Sequence, residues 1–189
     1  MAPMDQNHPR PLIVESPINA QLILNIRWLA ILGQFSALIY TYYGLKIAIP
    51  IGPCLFVIGL SVVANIWQTR RNSRAQRKGA QNFPALVFDV LQLSVLLFLT
   101  GGLLNPFASM LLAPVVVSAA VLRRRETFAL IMLVAASVSA LAIYHYPLAW
   151  NDGALIVPEL YLIGLWTSLL LSALFIGGYA WRVASGPAA

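Results

Sequence analysis

Charge is what this sequence is shortest of. Only 10% of its 189 residues are Asp, Glu, Lys or Arg, while 60% are hydrophobic. An ordinary globular chain is about a quarter charged and roughly half apolar. So little charge cannot cover a water-facing surface, and the composition points to an integral membrane protein. Acidic groups are scarcer still, six against twelve basic residues, for a net charge of +6. That balance could suit nucleic acid, but the basic residues fall in short clusters between apolar runs. This is the pattern of cytoplasmic loops, and no nucleic-acid partner is read from it.

Other absences narrow the chemistry. There is one cysteine, Cys54, inside an apolar run. It excludes a disulfide framework or CxxC motif. It is read as a small packing residue, since a reactive thiol needs exposure and a stabilised thiolate. The two histidines, His8 and His145, are far apart and do not make the bis-histidine pair of a membrane haem. There is no GxxxxGK[ST] phosphate loop, no metal-spaced histidine set and no nucleophile elbow. No catalytic residue and no metal ligand is therefore assigned. The first twenty residues are polar and Pro-rich, without the apolar core of a cleavable signal peptide.

What is present is a series of apolar runs. A lipid-spanning helix needs about 20 mostly apolar residues, and six stretches qualify: Leu22–Tyr43, Pro50–Trp67, Phe83–Thr100, Pro106–Leu122, Thr127–Tyr146 and Glu159–Trp181. The expected fold is all-α, a polytopic membrane protein of six transmembrane helices. Arg10, Arg27, the RRNSRAQRK cluster, Arg123–Arg125 and Arg182 fall on one side, and Lys46 alone on the other. The positive-inside rule then puts both termini in the cytoplasm. The expected organisation is a cytoplasmic tail over 1–20, a six-helix domain over 21–184 and a short remnant over 185–189. No internal repeat of the kind found in transporters is visible.

Polar residues within the runs are the candidate functional groups. Asp89 and Gln92 in "FDVLQL" are spaced i, i+3 and share a helix face. Arg27 lies at a similar depth in the first run, with Gln34 on the same face seven residues on. An Arg27–Asp89 pair with Gln34 and Gln92 nearby is inferred, either as structural glue or as a proton or ligand contact. Asn65 either joins this network or lies near the interface. These groups cluster in the inner half, which argues against a transport path. Between the third and fourth runs stands GGLLNPF, Gly101 to Phe107. Gly101 and Gly102 suit a helix C-terminus, Asn105 suits a cap, and Pro106 suits the first turn of the next helix. The segment is either a hairpin only or also a binding site. Two glycines allow close approach to the backbone, Asn105 offers a donor and an acceptor, and Phe107 offers an aromatic face. A quinone headgroup would suit that set. His145 in "YHYP" is solvated or is a proton partner at the same level. Small residues at Ser168/Ser172 and Ala173/Gly177 permit close packing, within the bundle or at a dimer seam.

The stretches "RWLAILGQ" (27–34), "FDVLQLSVLLFLTGGLLNPFASMLLAPV" (88–115) and "YLIGLWTSLLLSALFIGGYAWRVA" (161–184) resemble the membrane sensor region of RegB/PrrB-type redox sensor histidine kinases, from about Arg27 to Ala184. The resemblance implies a six-helix module that senses the ubiquinone pool. It implies quinone contact at Gly101, Gly102, Leu103, Asn105, Pro106 and Phe107. The family often has a polar residue where this chain has Leu104. The resemblance further implies a homodimer, and a response regulator reached only through kinase domains that do not appear in this sequence. By that reading the chain itself does not phosphorylate anything. It is either a sensor piece of a kinase or a kinase-less relative docked on a larger respiratory or photosynthetic membrane complex.

Overall fold

A chain that leaves water must bond its backbone to itself, and helices do this within each segment. The computed structural model describes residues 18–72, 82–147, 149–150, 153–154 and 157–184. The expectations for the terminal tails and for residues 73–81 of the basic cluster lie outside those residues. Among the described residues there are six α-helices: α1 (Ile18–Ile39), α2 (Ile51–Asn72), α3 (Asn82–Leu99), α4 (Leu112–Val121), α5 (Arg124–Ile143) and α6 (Glu159–Ala184). Three stretches, Ile51–Arg70, Arg124–Ile143 and Glu159–Tyr179, are long and apolar enough to cross a bilayer by length and composition. Two shorter apolar stretches, Phe83–Leu99 and Pro106–Ala119, accompany them.

The fourth run departs from expectation. Instead of one helix over Pro106–Leu122, it forms a 3-10 helix at Pro106–Leu111 and only then the ten-residue α4. Pro114 is the reason we assign. It has no N–H to give the carbonyl four residues back, and its ring crowds that carbonyl, so it fits the first turn of an α-helix and not its middle. The loop expected at 123–126 is also largely absent. Arg123 is the N-cap of α5, and the Glu126 carboxylate accepts from the Arg123 N–H at 3.0 Å. At its outer end α1 passes into a π-helical turn at Tyr40–Gly44. At that end the segment after α1 and the segment between α5 and α6 are joined through a small antiparallel sheet of β1 (Ile47–Ala48), β2 (Ala149–Trp150) and β3 (Gly153–Ala154). Ile47 stands opposite Trp150, and Trp150 opposite Gly153.

Packing divides the molecule in two. Leu86, Val90, Leu97, Leu103, Leu111, Val115, Leu130, Val134 and Val138 belong to one core shared by α3 to α6. Ile31, Leu38, Cys54 and Ile58 form a second, smaller core between α1 and α2, which meets α3 at Leu96. Cys54 is a buried packing residue of that core. Outward faces are strongly apolar: Leu29, Phe56, Leu160, Phe175 and Tyr179 are all exposed. Patches of that extent are rare on water-soluble monomers and suit contact with lipid tails. In α6 the inward small residues are Ala173 and Gly177, both buried, whereas Ser168 is exposed. Trp166 Nε1 donates to Ser139 Oγ at 3.1 Å across the α5–α6 contact.

Glycine is required at one corner. Gly101 and Gly102 both have positive φ, 102° and 60°. A Cβ on Gly102 would stand 2.6 Å from His145 Cβ and 2.7 Å from the Leu141 carbonyl oxygen. Gly102→Ala is expected to lower stability in detergent by about 2 kcal/mol or more, from left-handed strain plus the clash with the end of α5. Gly59→Ala, where a Cβ meets nothing within 4 Å, should be neutral or slightly stabilising. Denaturant-induced unfolding followed by circular dichroism compares the two.

Candidate functional site

The helical faces of α1, α2 and α3 meet along a polar seam. On α1 and the π-helical turn that continues it the buried positions are Arg27, Ile31, Gln34, Leu38 and Thr41, alternating three and four residues apart. That spacing keeps one stripe facing a neighbour. On α2 the matching stripe is Cys54, Ile58, Ser61 and Asn65. At the basic end Arg27 reaches Asp89 on α3, with Nη2 at 2.6 Å and Nε at 3.1 Å from the same carboxylate oxygen. Its Nη1 donates to Gln68 Oε1 of α2. One guanidinium thus ties three helices together. Its fork of fixed donors suits this role, where a lysine would offer one point charge. A turn or two further along, Gln92 Nε2 donates to Gln34 Oε1 at 3.0 Å in a fully buried pair.

Asn65 does not join by hydrogen bond. It is completely buried, and among the described residues neither its Nδ2 nor its Oδ1 has a partner. Toward the outer end the stripe continues with Thr41 and Thr100. Their hydroxyls donate to their own helices, at Ala37 O and Leu96 O, both 2.8 Å. Polar groups therefore extend beyond the inner half to which the sequence reading confined them. Gln68, Thr41 and Thr100 were missed. The sequence did carry one signal for Thr41, since Arg27, Gln34 and Thr41 recur at steps of seven.

At the outer end stands the Gly101–Phe107 corner. A 3-10 turn covers Gly102–Leu104, with Leu103 fully buried. Asn105 caps the following 3-10 helix: its Oδ1 accepts from the Phe107 N–H at 2.8 Å. Its Nδ2 donates to Thr100 Oγ1 at 2.6 Å and Thr100 O at 3.2 Å. Both ends of the amide are committed to the chain. The Gly102 backbone is approached by the end of α5, not by open space, and the Tyr146 N–H donates to Phe98 O at 2.8 Å to hold that end in place. His145 lies against Gly102, with its Nδ1 3.2 Å from the Tyr146 carbonyl oxygen. Pro106 is exposed, and Phe107 is half-buried. Phe107 and Asn105, with Gln34, Thr41, Thr100 and Met110, line a cavity of about 30 Å³ between α1 and α3. That is room for a water molecule or two and not for an aromatic ring.

The structure thus brings Arg27, Gln34, Asp89 and Gln92 to one seam, and brings Gln34 to the same cavity as Asn105 and Phe107. It turns Gly101, Gly102 and Leu103 to structural use. The fold and seam define a helical membrane protein with a buried polar network joining an N-terminal helix pair to a four-helix core. By sequence it is related to the RegB sensor histidine kinases. A RegB of Cereibacter sphaeroides is 39% identical over 164 residues, covering 86% of this chain and 36% of that protein. A second RegB of the same species is 38% identical over 169 residues, covering 88% of this chain and 37% of the relative. The chain therefore spans a little over a third of the length of these relatives. No family model and no solved structure matches it.

Two stability predictions follow from the seam. Arg27→Met should destabilise by about 3 kcal/mol, because it leaves the partly buried Asp89 carboxylate without its partner, while Arg27→Met with Asp89→Leu should recover most of that loss. Asn65→Leu should be neutral or stabilising, since it removes two unpaired buried polar atoms without breaking a bond. Unfolding titrations of the purified chain in one detergent measure all three.

Proposed function

We propose that the chain is the membrane sensor part of a RegB-type redox sensor kinase, lying in the bacterial inner membrane with all six helices across the bilayer. The arginine-rich end faces the cytoplasm, as the distribution of basic residues favours. The observation that carries this reading is the 39% identity to a RegB kinase across 86% of the chain. The kinase reaction, the homodimer and the response regulator belong to the whole sensor protein, of which this chain supplies the membrane portion.

The ligand in this reading is ubiquinone, and its headgroup enters between α1 and the Gly101–Phe107 corner. The cavity there supplies what a quinone ring needs: the Phe107 face, amide groups from Gln34, and the Thr41 and Thr100 hydroxyls. Its present volume admits no ring, so entry requires α1 to move away from α3. The division of the packing supports such a movement, because α1 and α2 share their own core and meet α3 largely through the polar seam. A quinone and a quinol differ in hydrogen-bond donors at the ring oxygens. They would therefore favour the open and closed packings to different degrees. A difference of about 1.4 kcal/mol shifts the ratio tenfold. Output would leave through α6, which ends on the arginine-rich side.

The test is a titration of the purified chain with short-chain ubiquinone and ubiquinol analogues, read by tryptophan fluorescence quenching. Phe107→Ala and Gln34→Leu should each weaken ubiquinone binding by about tenfold, roughly 1.4 kcal/mol. Unchanged binding in both variants removes the site. Asn105→Ala is a poor probe, because losing its cap costs about 1 kcal/mol of stability whatever binds.

A further inference from the structure

A cavity lies far from the corner, at the arginine-rich end, where α4, α5 and α6 meet. It has a volume of about 800 Å³, within the roughly 300–1,000 Å³ of ordinary ligand sites. Arg124, Arg125, Phe128, Ile131 and Leu174 are among its lining residues; Ile131 is buried, and the other four are exposed around it. From Arg124 to Ile131 is seven residues of helix, a rise of about 10 Å. Its existence follows from the sequence of α6. Gly177 is filled by Ile131, whose Cδ1 already occupies the place of a Cβ, but a Cβ on Gly178 would meet nothing within 4 Å. The Gly178 side of the cleft is therefore open.

Two exposed arginines beside an open apolar groove, at the level where headgroups meet acyl chains, match one chemistry. We propose that this cleft binds an anionic glycerophospholipid, with its phosphate at Arg124 and Arg125 and the start of one acyl chain between Phe128, Ile131 and Leu174. Basic pockets between membrane helices hold anionic headgroups in this way. The phosphate also lies at the N-terminus of the twenty-residue α5, where the helix dipole adds to the attraction. A lipid seated there wedges α6 against α5 at the end from which a signal would leave. The binding site does not depend on the quinone reading.

The experiment titrates the detergent-solubilised chain with phosphatidylglycerol and with phosphatidylcholine of the same acyl chains, and counts bound lipid by native mass spectrometry. Phosphatidylglycerol should bind about tenfold tighter or more, and Arg124→Gln with Arg125→Gln should reduce that preference to less than twofold. Gly178→Leu, whose new atoms enter open space, should weaken phosphatidylglycerol about tenfold with an unchanged melting midpoint. Equal binding of the two lipids overturns the proposal. So does full binding to the Gly178→Leu chain, which would mean surface attraction to arginines only. Competition by glycerol phosphate as strong as by the lipid would identify a free anion, and displacement by a neutral quinone analogue would identify a quinone cleft. Either outcome overturns the assignment.

Discussion

The Arg27 guanidinium holds the first half of this molecule in place. A charge between membrane helices is costly unless it is paired, and separating a buried pair leaves two unsolvated ions. Arg27 therefore fixes α1 against Asp89 of α3 and Gln68 of α2 at the same level. The Gln34–Gln92 bond then aligns α1 and α3 further along. Apolar packing alone would set this register weakly, because lipid tails are as apolar as the leucines they would replace. The polar seam gives α1 one rotation and one depth, and so decides which of its faces is offered to lipid.

The same constraint shapes the outer end. Once α1 and α3 are aligned, Thr41, Thr100 and Asn105 come to one level, and a small cavity opens between the helices beside Phe107. The corner itself is rigid. Two left-handed glycines turn the chain, Asn105 caps the next segment with its Oδ1 and holds Thr100 with its Nδ2, and the end of α5 closes over Gly102. A segment can be both a structural turn and the wall of a binding cleft. Here the turn supplies the rigidity, and in the quinone reading we propose, α1 is the part that moves. The two separate apolar cores give that motion a natural boundary.

At the opposite end, the site is made by small residues and not by a polar network. Gly177 lets α6 approach α5, and Gly178 leaves a gap that Ile131 does not fill. The three consecutive arginines that a sequence reading assigns to a loop instead form the cap and first turn of α5. Being helical, they project in different directions, and two of them line the cleft.

Composition and run length by themselves determined that the chain is helical and apolar outside, because a water-free backbone has few other ways to satisfy its bonds. They placed α3 and the start of α6 within a residue. The spacing of Arg27 and Gln34, and of Asp89 and Gln92, was legible as two polar faces, since helical periodicity is a local property. The 3-10 opening of the fourth segment was harder to see, because its Pro106 signals a helix start while Pro114 delays the α-helix. Only the tertiary structure decided that Gln68 completes the Arg27 cluster and that the Asn65 amide finds no partner among the described residues. It alone showed that Gly102 faces His145 and the end of α5, and that β1 meets β2 across a hundred residues of chain. Those are contacts between segments distant in sequence. They depend on how helices rotate and approach one another, and no local pattern of residues encodes that distance.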